Sequence, residues 1–508
     1  MVKVESRAKP VAHAGRLALL ALLVLHVALA AGYALLVPPW NTPDEPAHYN
    51  YVEHVATTRT LPVLQVGDYD QALLERLTSE RFPPGSAVDR LRYEGHQPPL
   101  FYLALAPVHG LVADRPAAER VVALRLVSVV FSAATVYLSW RVARLVLPGT
   151  ALPLAAAGIL AFVPGYTAVA GAINNDALAV LLATAVLGCV LVAVRRGLNA
   201  AERFGLGVLL GLLLLTKLTV YVFVPLAVGV VAWLEWRRGG WRGLRTLVVP
   251  LLVVPLAMAL PWYARNVAVY GWPDVLGQMR HDLVVVGQPR TGTWTLAHAA
   301  FLLRTTFQSF WAQFGWMGVV MPDWVYRCYL LLTVAAALGL LVAALRWAIS
   351  DSWARAAFAT PSGVPGAPLP REAVVGMPPS IVTWGLLGLA TVAVGMAFVG
   401  YNLTFVQAQG RYLYPALLPI ALLQVKGLAT LARGGGERPW PRLVGAGARG
   451  VAWLVPLFMV VEIGGFLVGG PLPRRYLYPL LVVVAAALGW VGSKRGGASG
   501  PIGLTVVG

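Results

Sequence analysis

The chain has 508 residues, of which 58% are hydrophobic and 12% are charged, and its mean hydropathy is +0.70. A soluble domain of ordinary composition carries about 25% charged residues, so these values exclude a water-soluble globule. Only helices or a closed barrel can span lipid without leaving backbone polar groups unpaired. The apolar runs are about 20 residues long and show no two-residue alternation, which predicts an all-α integral membrane protein.

Lys and Arg outnumber Asp and Glu by 40 to 22, which gives a net charge of +18. Such a charge can mark a nucleic-acid-binding protein, but here the arginines stand at the ends of apolar runs, as the positive-inside rule expects. We therefore expect no nucleic-acid partner and a multi-pass location in the cell (inner) membrane. The two cysteines, Cys189 and Cys328, lie in apolar segments, which indicates neither a disulfide framework nor a cysteine metal site.

The first apolar run extends from Gly15 to Val37, and no small-residue cleavage site follows it. We interpret it as a retained first span, 15–37, after a cytoplasmic N-terminus at 1–14. In all, we expect a bundle of about twelve transmembrane helices. The later spans are predicted at 121–147, 151–171, 176–194, 204–216, 218–236, 244–262, 325–346, 380–401, 413–431, 450–470 and 476–492.

The segment from Gln97 to Val112 is apolar but opens with Pro98-Pro99, and its placement decides the topology. If it crossed the membrane, Arg141 and Arg144 would lie outside. Every later loop would then also change sides, which would place the arginine-rich loops where the positive-inside rule disfavours them. If it lies as a helix in the outer interface, the arginine-rich connections all fall inside, together with both termini. We adopt the interfacial placement for this reason.

This topology predicts two large extracytoplasmic loops. The first, 38–120, carries interfacial helices and eleven of the 22 acidic residues, and the second spans 263–324. Spans 2–7 occupy 121–262, and spans 8–12 occupy 325–492. A cytoplasmic linker rich in Pro, Gly and Ala interrupts the latter group at 350–379, and a cytoplasmic tail follows at 493–508.

The motif Asn-Thr-Pro-Asp-Glu-Pro-Ala-His-Tyr follows the first span directly. One interpretation is a capping box, with Thr42 as N-cap, Pro43 at the first helical position and Glu45 two positions later. The other is catalytic, because Asp44 and His48 are four residues apart and share one face of a short helix. We favour a functional role for Asp44 and weigh the two interpretations evenly for Glu45.

Two further polar elements are predicted at the outer rim. The motif from Glu94 to Tyr102 contains His96 and Gln97 before two prolines, and on its own it indicates a rigid turn into an interfacial helix. Asp176 follows two asparagines between spans, where it can cap the next helix without losing a functional role.

Cations on the outer side are exceptions to the positive-inside rule and are therefore informative. Lys217 interrupts an apolar run, where a charge is costly. Arg265 follows Trp-Tyr-Ala, and Arg411 opens the string Arg-Tyr-Leu-Tyr-Pro, which recurs at Arg475. We interpret Arg475 as an interfacial anchor, whereas the polar Gln409 and the glycine before Arg411 favour a functional role there.

Taken together, these motifs resemble the GT-C superfamily of membrane glycosyltransferases. They look most similar to bacterial relatives of the dolichyl-phosphate-mannose–protein mannosyltransferases and to the aminoarabinose transferases. The elements that match, in the family's order over about 400 residues, are Asp44-Glu45, His96-Gln97-Pro98-Pro99-Leu100-Phe101-Tyr102, Asp176, Thr216-Lys217, Trp262-Tyr263-Ala264-Arg265-Asn266 and Gln409-Gly410-Arg411-Tyr412. The first of them also resembles a related group of uncharacterised bacterial membrane proteins.

The resemblance implies a GT-C-like bundle that transfers a sugar from a polyprenyl-phosphate carrier to a glycan, lipid or protein acceptor at the outer face of the membrane. A phosphate that leaves as an anion needs positive charge, and an attacking hydroxyl needs a base, with inversion in a single displacement. We assign the base to Asp44, with Glu45 and His48 beside it. We assign the donor phosphate to Lys217, Arg265 and Arg411, with His96 as donor or orienter.

Asp176 is assigned to the acceptor or, with Asp44, to a divalent cation. Two carboxylates and a phosphate suit Mg²⁺ or Mn²⁺. Members of the superfamily differ in whether they require a metal, so a metal-free site is the alternative. Gln97, Tyr102, Gln409 and Tyr412 complete the set of candidate site residues.

Two other function classes compete with this interpretation. A transporter or flippase would explain Glu462, an acid deep within the span 450–470. Transporter sites lie near the bilayer midplane, however, whereas the other polar candidates cluster at the outer rim. An inactive scaffold is disfavoured because acids and cations occur in six separate motifs.

Overall fold

The computed structural model describes residues 8–349 and 379–432. The helices, in chain order, are α1 (Ala8–Leu36), α2 (Glu45–Thr58), α3 (Gln71–Ser79), α4 (Leu100–Leu111), α5 (Ala117–Val146), α6 (Leu152–Ala161), α7 (Pro164–Ala170), α8 (Asp176–Arg196), α9 (Ala200–Leu214), α10 (Phe223–Leu247), α11 (Val254–Tyr270), α12 (Gln278–Val284), α13 (Leu296–Ala312), α14 (Asp323–Ile349), α15 (Pro379–Asn402) and α16 (Leu417–Ala432).

Short helical turns and one hairpin connect the long helices. The 3₁₀ turns are Tyr93–His96, Leu218–Val220 and Gly410–Ala416, and a π-turn covers Val248–Val253. The antiparallel hairpin pairs β1 (Gln313–Phe314) with β2 (Val319–Val320). Regular strand structure in the described residues is thus confined to one small hairpin, which agrees with the predicted all-α class.

Seven helical segments in the described residues are long and apolar enough to cross a membrane. The pair α6 and α7, bent by 65° at a short break, makes eight if it counts as one span. The seven are Gly15–Leu36, Ala117–Val146, Asp176–Arg196, Leu218–Tyr270, Asp323–Ala348, Ser380–Asn402 and Gly410–Ala432. A polytopic membrane protein is therefore confirmed, whereas the predicted total of twelve spans is not.

The segment Leu218–Tyr270 has 53 residues, far more than the roughly 20 that one crossing needs. The chain breaks at Gly240, whose φ of 53° and ψ of −135° are not helical. Just beyond the break, a Cβ on Gly243 would lie 2.3 Å from the carbonyl oxygen of Glu235, so only glycine lets the two arms approach this closely. The segment is therefore a helical hairpin, with one arm in each of the predicted spans 218–236 and 244–262.

The remaining predictions divide between described and undescribed residues. A helix lies at each of the ten predicted spans from 15–37 to 413–431, although α9 has only 15 residues. The predicted spans 450–470 and 476–492, Glu462, Arg475 and the tail lie outside the described residues, as does the linker from 350 to 378.

The segment between α1 and α5 folds into its own layer of short helices, which we call the outer layer because the sequence predicts it on the outer side of the membrane. α4 has 12 residues, about 18 Å of helix at 1.5 Å per residue, which is too short to cross a bilayer. One face of α4 buries Phe101, Tyr102 and Leu105, while Leu103 and Leu111 are exposed. α4 packs against α2 and α5, so the polar motifs at its start are held close to those that open α2.

A buried ion pair fixes the start of this layer. The carboxylate of Glu45, the first residue of α2, accepts hydrogen bonds from Arg125 Nε at 2.7 Å and Nη2 at 2.6 Å. Both side chains are at most 1% exposed. The backbone N–H groups of Trp40 and Ile173 donate to the same carboxylate at 2.9 and 3.2 Å. Four donors therefore hold Glu45, and its oxygens are occupied within the protein.

This arrangement overturns the predicted capping box. Asp44, not Thr42, is the N-cap residue of α2, and its side chain makes no capping hydrogen bond. Asp44 adopts the left-handed conformation, with φ 66° and ψ −2°, which Asp tolerates better than most residues. Glu45 is the first helical residue, and it turns inward to Arg125 rather than back to the cap.

Arg125 offers a direct test of the layer. Arg125→Leu would leave the Glu45 carboxylate buried without its cation, and breaking a buried pair in this way costs about 3–5 kcal/mol. We expect a correspondingly large fall in the thermal unfolding temperature of purified protein in detergent. Arg120→Leu is the matched control, because Arg120 is on the same helix and its partner Glu53 is 37% exposed. That change should cost about 1 kcal/mol or less, and equal losses for both variants would contradict the role given to Arg125.

Candidate active site

A cavity of about 390 Å³ lies where the outer layer meets α15 and the turn Gly410–Ala416. Seven of the predicted site residues line it, which are Asp44, His48, His96, Gln97, Lys217, Arg411 and Tyr412. Positions as far apart in sequence as Asp44 and Arg411 thus come together in one place. The cavity therefore collects an acid, two cations and neutral hydrogen-bonding groups.

Asp44 stands at the wall of the cavity with two partners on its carboxylate. Tyr93 donates its hydroxyl to Oδ1 at 2.9 Å, and Arg411 forms an ion pair with Oδ2 through Nη2. Burial raises the pKa of Asp44, but the charge of Arg411, assisted by His48 and by both hydrogen bonds, outweighs it and holds that pKa below its ordinary value. Asp44 is therefore ionised at neutral pH.

His48 lies one turn along α2 from Asp44, as the spacing predicts, and lines the same cavity. Burial lowers the pKa of His48 to about 3, which the nearby carboxylate of Asp44 only partly opposes. Its Nδ1 is hydrogen-bonded to the hydroxyl of Tyr102 at 2.9 Å. Tyr102 is fully buried and stacks on Tyr51, so it orients the His48 ring from behind.

Arg411 is held in place from its own turn. Its Nε donates to the side-chain oxygen of Gln409 at 2.7 Å, and Gln409 in turn donates to Gln407 at 2.8 Å. The guanidinium carbon lies 5.4 Å from the centroid of the Tyr412 ring. Gln409 and Tyr412 therefore position the one cation that reaches Asp44.

Lys217 reaches the cavity as part of a second buried ion pair. Its ammonium group donates to Oδ1 of Asp176 at 2.7 Å, and the side chains are 7% and 1% exposed. Asp176 begins α8 and does not line the cavity, and its Oδ2 has no partner within 8–349 and 379–432. Asp176 thus holds the lysine that interrupts the apolar run.

The turn Tyr93–His96 supplies the opposite wall. Burial lowers the pKa of His96 well below its ordinary value, with the adjacent His281 contributing, so the ring is neutral. Its Nδ1 donates to the carbonyl of Tyr93 at 3.1 Å, which leaves Nε2 as an acceptor. Glu94 also lines the cavity, 9% exposed, and its Oε2 has no partner in the described part of the chain.

Five predicted site residues do not line this cavity. Tyr102, Asp176 and Gln409 hold residues that do line it, whereas Glu45 and Arg265 are engaged elsewhere. Glu45 is bound by Arg125, as described above. Arg265 donates to the carbonyl oxygens of Pro62 at 2.6 Å and Leu61 at 3.4 Å, and it stacks over Trp262. Arg265 therefore ties the outer layer to α11 in this conformation.

Several residues of the site were not predicted from the sequence. Glu94 opens the motif that was recognised for its histidine, and Tyr93 directly precedes that motif. His281 and Tyr401 come from segments without any motif. Arg125 could have been identified from the sequence, because a lone charge inside an apolar run is costly unless it is paired.

The described residues were also compared with what a divalent cation requires. Within 8–349 and 379–432 there is no group of three or more His, Cys, Asp or Glu side chains that could hold a metal ion. The two carboxylates predicted to share such an ion, Asp44 and Asp176, each face a cation instead. These residues do not fit a metal as they stand, so the requirement for Mg²⁺ or Mn²⁺ stays a prediction.

A second cavity, of about 510 Å³, shares Arg411 with the first. It runs along the chain that precedes Asp44, where Asn41, Thr42 and Pro43 line it. Its only charged lining residues in the described chain are Arg81 and Arg411, and the rest are neutral polar, aromatic or small. Arg411 therefore stands between two cavities of different character.

Comparison with known proteins agrees with the predicted resemblance. The family model for dolichyl-phosphate-mannose-protein mannosyltransferase matches residues 96–264, about a third of the chain. His96, Asp176 and Lys217 fall inside this match, whereas Asp44 and Arg411 fall outside it. No similar sequence was found among curated proteins.

Solved structures resemble the chain over most of its length. The oligosaccharyltransferase of Archaeoglobus fulgidus with Zn and sulfate has a TM-score of 0.50 at 14% identity, over 90% of this chain and 54% of that one. The archaeal AglB of that organism, in complex with an inhibitory peptide and dolichol-phosphate, gives 0.49 at 14%, over 90% and 57%. ArnT from Cupriavidus metallidurans bound to undecaprenyl phosphate gives 0.47 at 17%, over 93% and 75%.

The chain spans just over half the length of the archaeal oligosaccharyltransferases that it matches. At such identities, the likeness to the first of these structures concerns the fold and does not extend to activity. The predicted helical-bundle fold is confirmed by this likeness, and the predicted resemblance to the mannosyltransferase family is confirmed over residues 96–264.

Glu94 predicts how stability depends on pH. Burial raises the pKa of Glu94 from 4.5 to about 8, and the charge of Asp44 adds to the effect, while Lys217, Arg411 and a hydrogen bond from Gln97 oppose it. Between pH 4.5 and about pH 8 the folded protein keeps a proton on Glu94 that the unfolded chain has lost. The free energy of unfolding therefore falls as the pH rises through this range. The Glu94→Gln variant has no titrating group at this position, so its stability does not fall with pH for this reason.

We expect the thermal unfolding temperature of the wild type to fall relative to that of Glu94→Gln as pH rises from about 5 to about 8. The measurement is thermal unfolding of both proteins in one detergent at several pH values. Parallel curves across this range would show that Glu94 ionises in the folded protein near its ordinary pKa.

Proposed function

We propose that the protein is a glycosyltransferase that moves a sugar from a polyprenyl-phosphate donor to an acceptor at the outer face of the membrane. The observation that carries the proposal is the ionised carboxylate of Asp44, paired with Arg411 in a cavity that also receives Lys217. The family model that matches residues 96–264 is named for transfer from a dolichyl-phosphate sugar, which supports the donor class.

The two cations suit the leaving group of such a reaction. When the bond between the anomeric carbon and the phosphate oxygen breaks, polyprenyl phosphate leaves with one more negative charge than it had in the donor. Positive groups placed where this charge develops stabilise the transition state. Lys217 and Arg411 line one cavity and are both largely withdrawn from water, where their charges act strongly.

Asp44 is the proposed base. The acceptor hydroxyl oxygen bonds to the anomeric carbon on the side opposite the phosphate, and its proton passes to the Asp44 carboxylate, so the anomeric centre inverts. An aspartate held by Arg411 is a weak base. Binding of the donor phosphate to Arg411 would draw the guanidinium away, raise the pKa of Asp44 and so strengthen the base when substrate is present.

The acceptor reaches the reacting atoms from the second cavity in this proposal. That cavity borders the first at Arg411 and follows the backbone that leads into Asp44. Its nearly uncharged, polar and aromatic lining suits a hydroxyl-bearing acceptor better than a strongly charged one.

Asp44→Asn tests the base. The amide keeps the shape but cannot take the proton, so transfer should fall by about 10²–10⁴-fold. The measurement is transfer from polyprenyl-phosphate sugars isolated from the native membrane. Because the change also removes the partner of Arg411, the folded fraction must be determined alongside.

Asp68→Asn is the control for that loss. Asp68 is a buried carboxylate of the same layer, it accepts from Arg92 at 2.9 Å, and it does not line the cavity. This variant should keep near-normal transfer per folded molecule. Near-normal transfer by Asp44→Asn would instead remove Asp44 from the mechanism.

The proposed orientation places the outer layer and both cavities outside the cytoplasm, with both termini inside. It can be tested with single cysteines in a variant whose Cys189 and Cys328 are replaced by alanine. Ala87 in the outer layer and Ala200 at the start of α9 are both exposed. A cysteine at 87 should react with a membrane-impermeant thiol reagent in intact cells, and a cysteine at 200 only after lysis. The opposite pattern would reverse the orientation and exclude a donor presented at the outer face.

A further inference from the structure

Glu94 is a buried acid of the cavity for which the proposed reaction has no role. It belongs to the turn Tyr93–His96, is 9% exposed, and has one carboxyl oxygen, Oε2, without a partner among the residues that the structure describes. No ion pair among residues 8–349 and 379–432 includes it. A buried polar atom without a partner is unfavourable, so its persistence at a site points to a ligand group that pairs with it.

The charges around Glu94 decide which form of the acid is present. Asp44 faces it from α2, Lys217 from the chain before α10, and Arg411 from the turn Gly410–Ala416. The other titratable groups that feel its charge or line the cavity with it are Tyr93, Tyr102, Tyr401, Tyr412, His48, His96 and His281. Burial and the Asp44 carboxylate together outweigh the two cations, so the acid is neutral at pH 7.

We propose that Glu94, as a neutral carboxylic acid, binds a hydroxyl group of the donor sugar and is a specificity residue for that sugar. This inference rests on the proposed function, since it takes the donor phosphate to lie at Lys217 and Arg411. A neutral acid offers one O–H donor and further acceptor capacity, which matches the two roles of a hydroxyl group.

The phosphate itself is a poor partner for Glu94. A neutral acid brings no positive charge to an anion, and in the proposed function the phosphate already has Lys217 and Arg411 as partners. The sugar is bonded directly to that phosphate, so its hydroxyls lie within a few ångströms of the two cations and within the same cavity. An ammonium on the sugar would instead favour the ionised carboxylate of Glu94, which would lose its proton to solvent. The proposal therefore commits to a hydroxyl.

The experiment compares the binding of bare undecaprenyl phosphate with that of undecaprenyl-phosphate glucose, mannose and arabinose. Binding to the wild type, Glu94→Ala and Glu94→Gln is measured by native mass spectrometry of purified protein, without any acceptor. Glu94→Ala should weaken the best sugar-bearing lipid about tenfold and leave the bare lipid within about twofold, because one buried hydrogen-bonding partner is lost. Glu94→Gln, which also donates and accepts, should keep most of the preference for the sugar.

Glu53→Ala is the matched control, since Glu53 is a partly buried carboxylate of the same layer that does not line the cavity. It should change neither affinity. Equal weakening of both lipids by Glu94→Ala would overturn the inference, as would a Glu94→Gln variant that loses the sugar preference, because the role would then need a carboxylate. This second test stands even if Glu94→Ala does not fold.

Lipid binding by the wild type distinguishes a failure of this inference from a failure of the proposed function on which it rests. If it binds the bare lipid but prefers none of the sugar-bearing lipids, the sugar contact is wrong while the donor class survives. If it binds neither kind of lipid, the proposed function fails, and the role of Glu94 fails with it.

Discussion

The ion pair between Glu45 and Arg125 lies wholly inside the protein, and the geometry of the outer layer depends on it. Arg125 also donates to the carbonyl oxygens of Ala34 and Val37, at 3.0 and 2.6 Å, near the end of α1. One guanidinium therefore ties the end of the first span to the start of α2. Removing either charge would leave the other buried without a partner in a low-dielectric interior. The pair therefore constrains the backbone strongly even where its net stabilisation is small.

That constraint places the next carboxylate toward the cavity. Since Glu45 is turned inward, the adjacent Asp44 takes a left-handed backbone conformation with its side chain toward Tyr93 and Arg411. Two neighbouring acids thus have separate tasks, one structural and one available for chemistry. Residues in such sparsely populated conformations persist where the surrounding structure holds them, and they cluster at functional sites.

The second ion pair, between Asp44 and Arg411, links chain segments that are 367 residues apart. It lies where two cavities share a wall, and its cation can serve an anionic ligand in place of the carboxylate. In the proposed function, donor binding strengthens the base through this competition. The pair between Lys217 and Asp176 is more deeply buried, which suits a cation that is held still while Arg411 moves.

The sequence predicted the membrane class, a helix at each described span and seven of the sixteen residues that line the cavity. It did so because apolar runs of bilayer length, arginines at their ends and charged exceptions among them have few physical explanations. It could not assign the partner of each charge. Glu45 was predicted near the chemistry and is bound by Arg125, and Arg265 was predicted at the phosphate and is bound to the carbonyl of Pro62.

Tertiary packing also decided what local patterns could not. A capping box fits the sequence before α2, but burial of Glu45 against Arg125 is incompatible with it. Glu94 had a place in a recognised motif, yet its importance depends on burial and on the nearness of Asp44, which spacing does not reveal. His281 and Tyr401 joined the cavity from segments without any motif, so only the fold could find them.

The central claim is that this cavity consumes a polyprenyl-phosphate sugar. The most direct measurement is mass spectrometry of lipid extracts from cells that lack the protein, complemented with the wild type or with Arg411→Ala. We expect one polyprenyl-phosphate sugar to accumulate without the protein, to disappear with the wild type and to persist with the variant. Lipid profiles in which no polyprenyl-phosphate species changes between these cells would contradict the account.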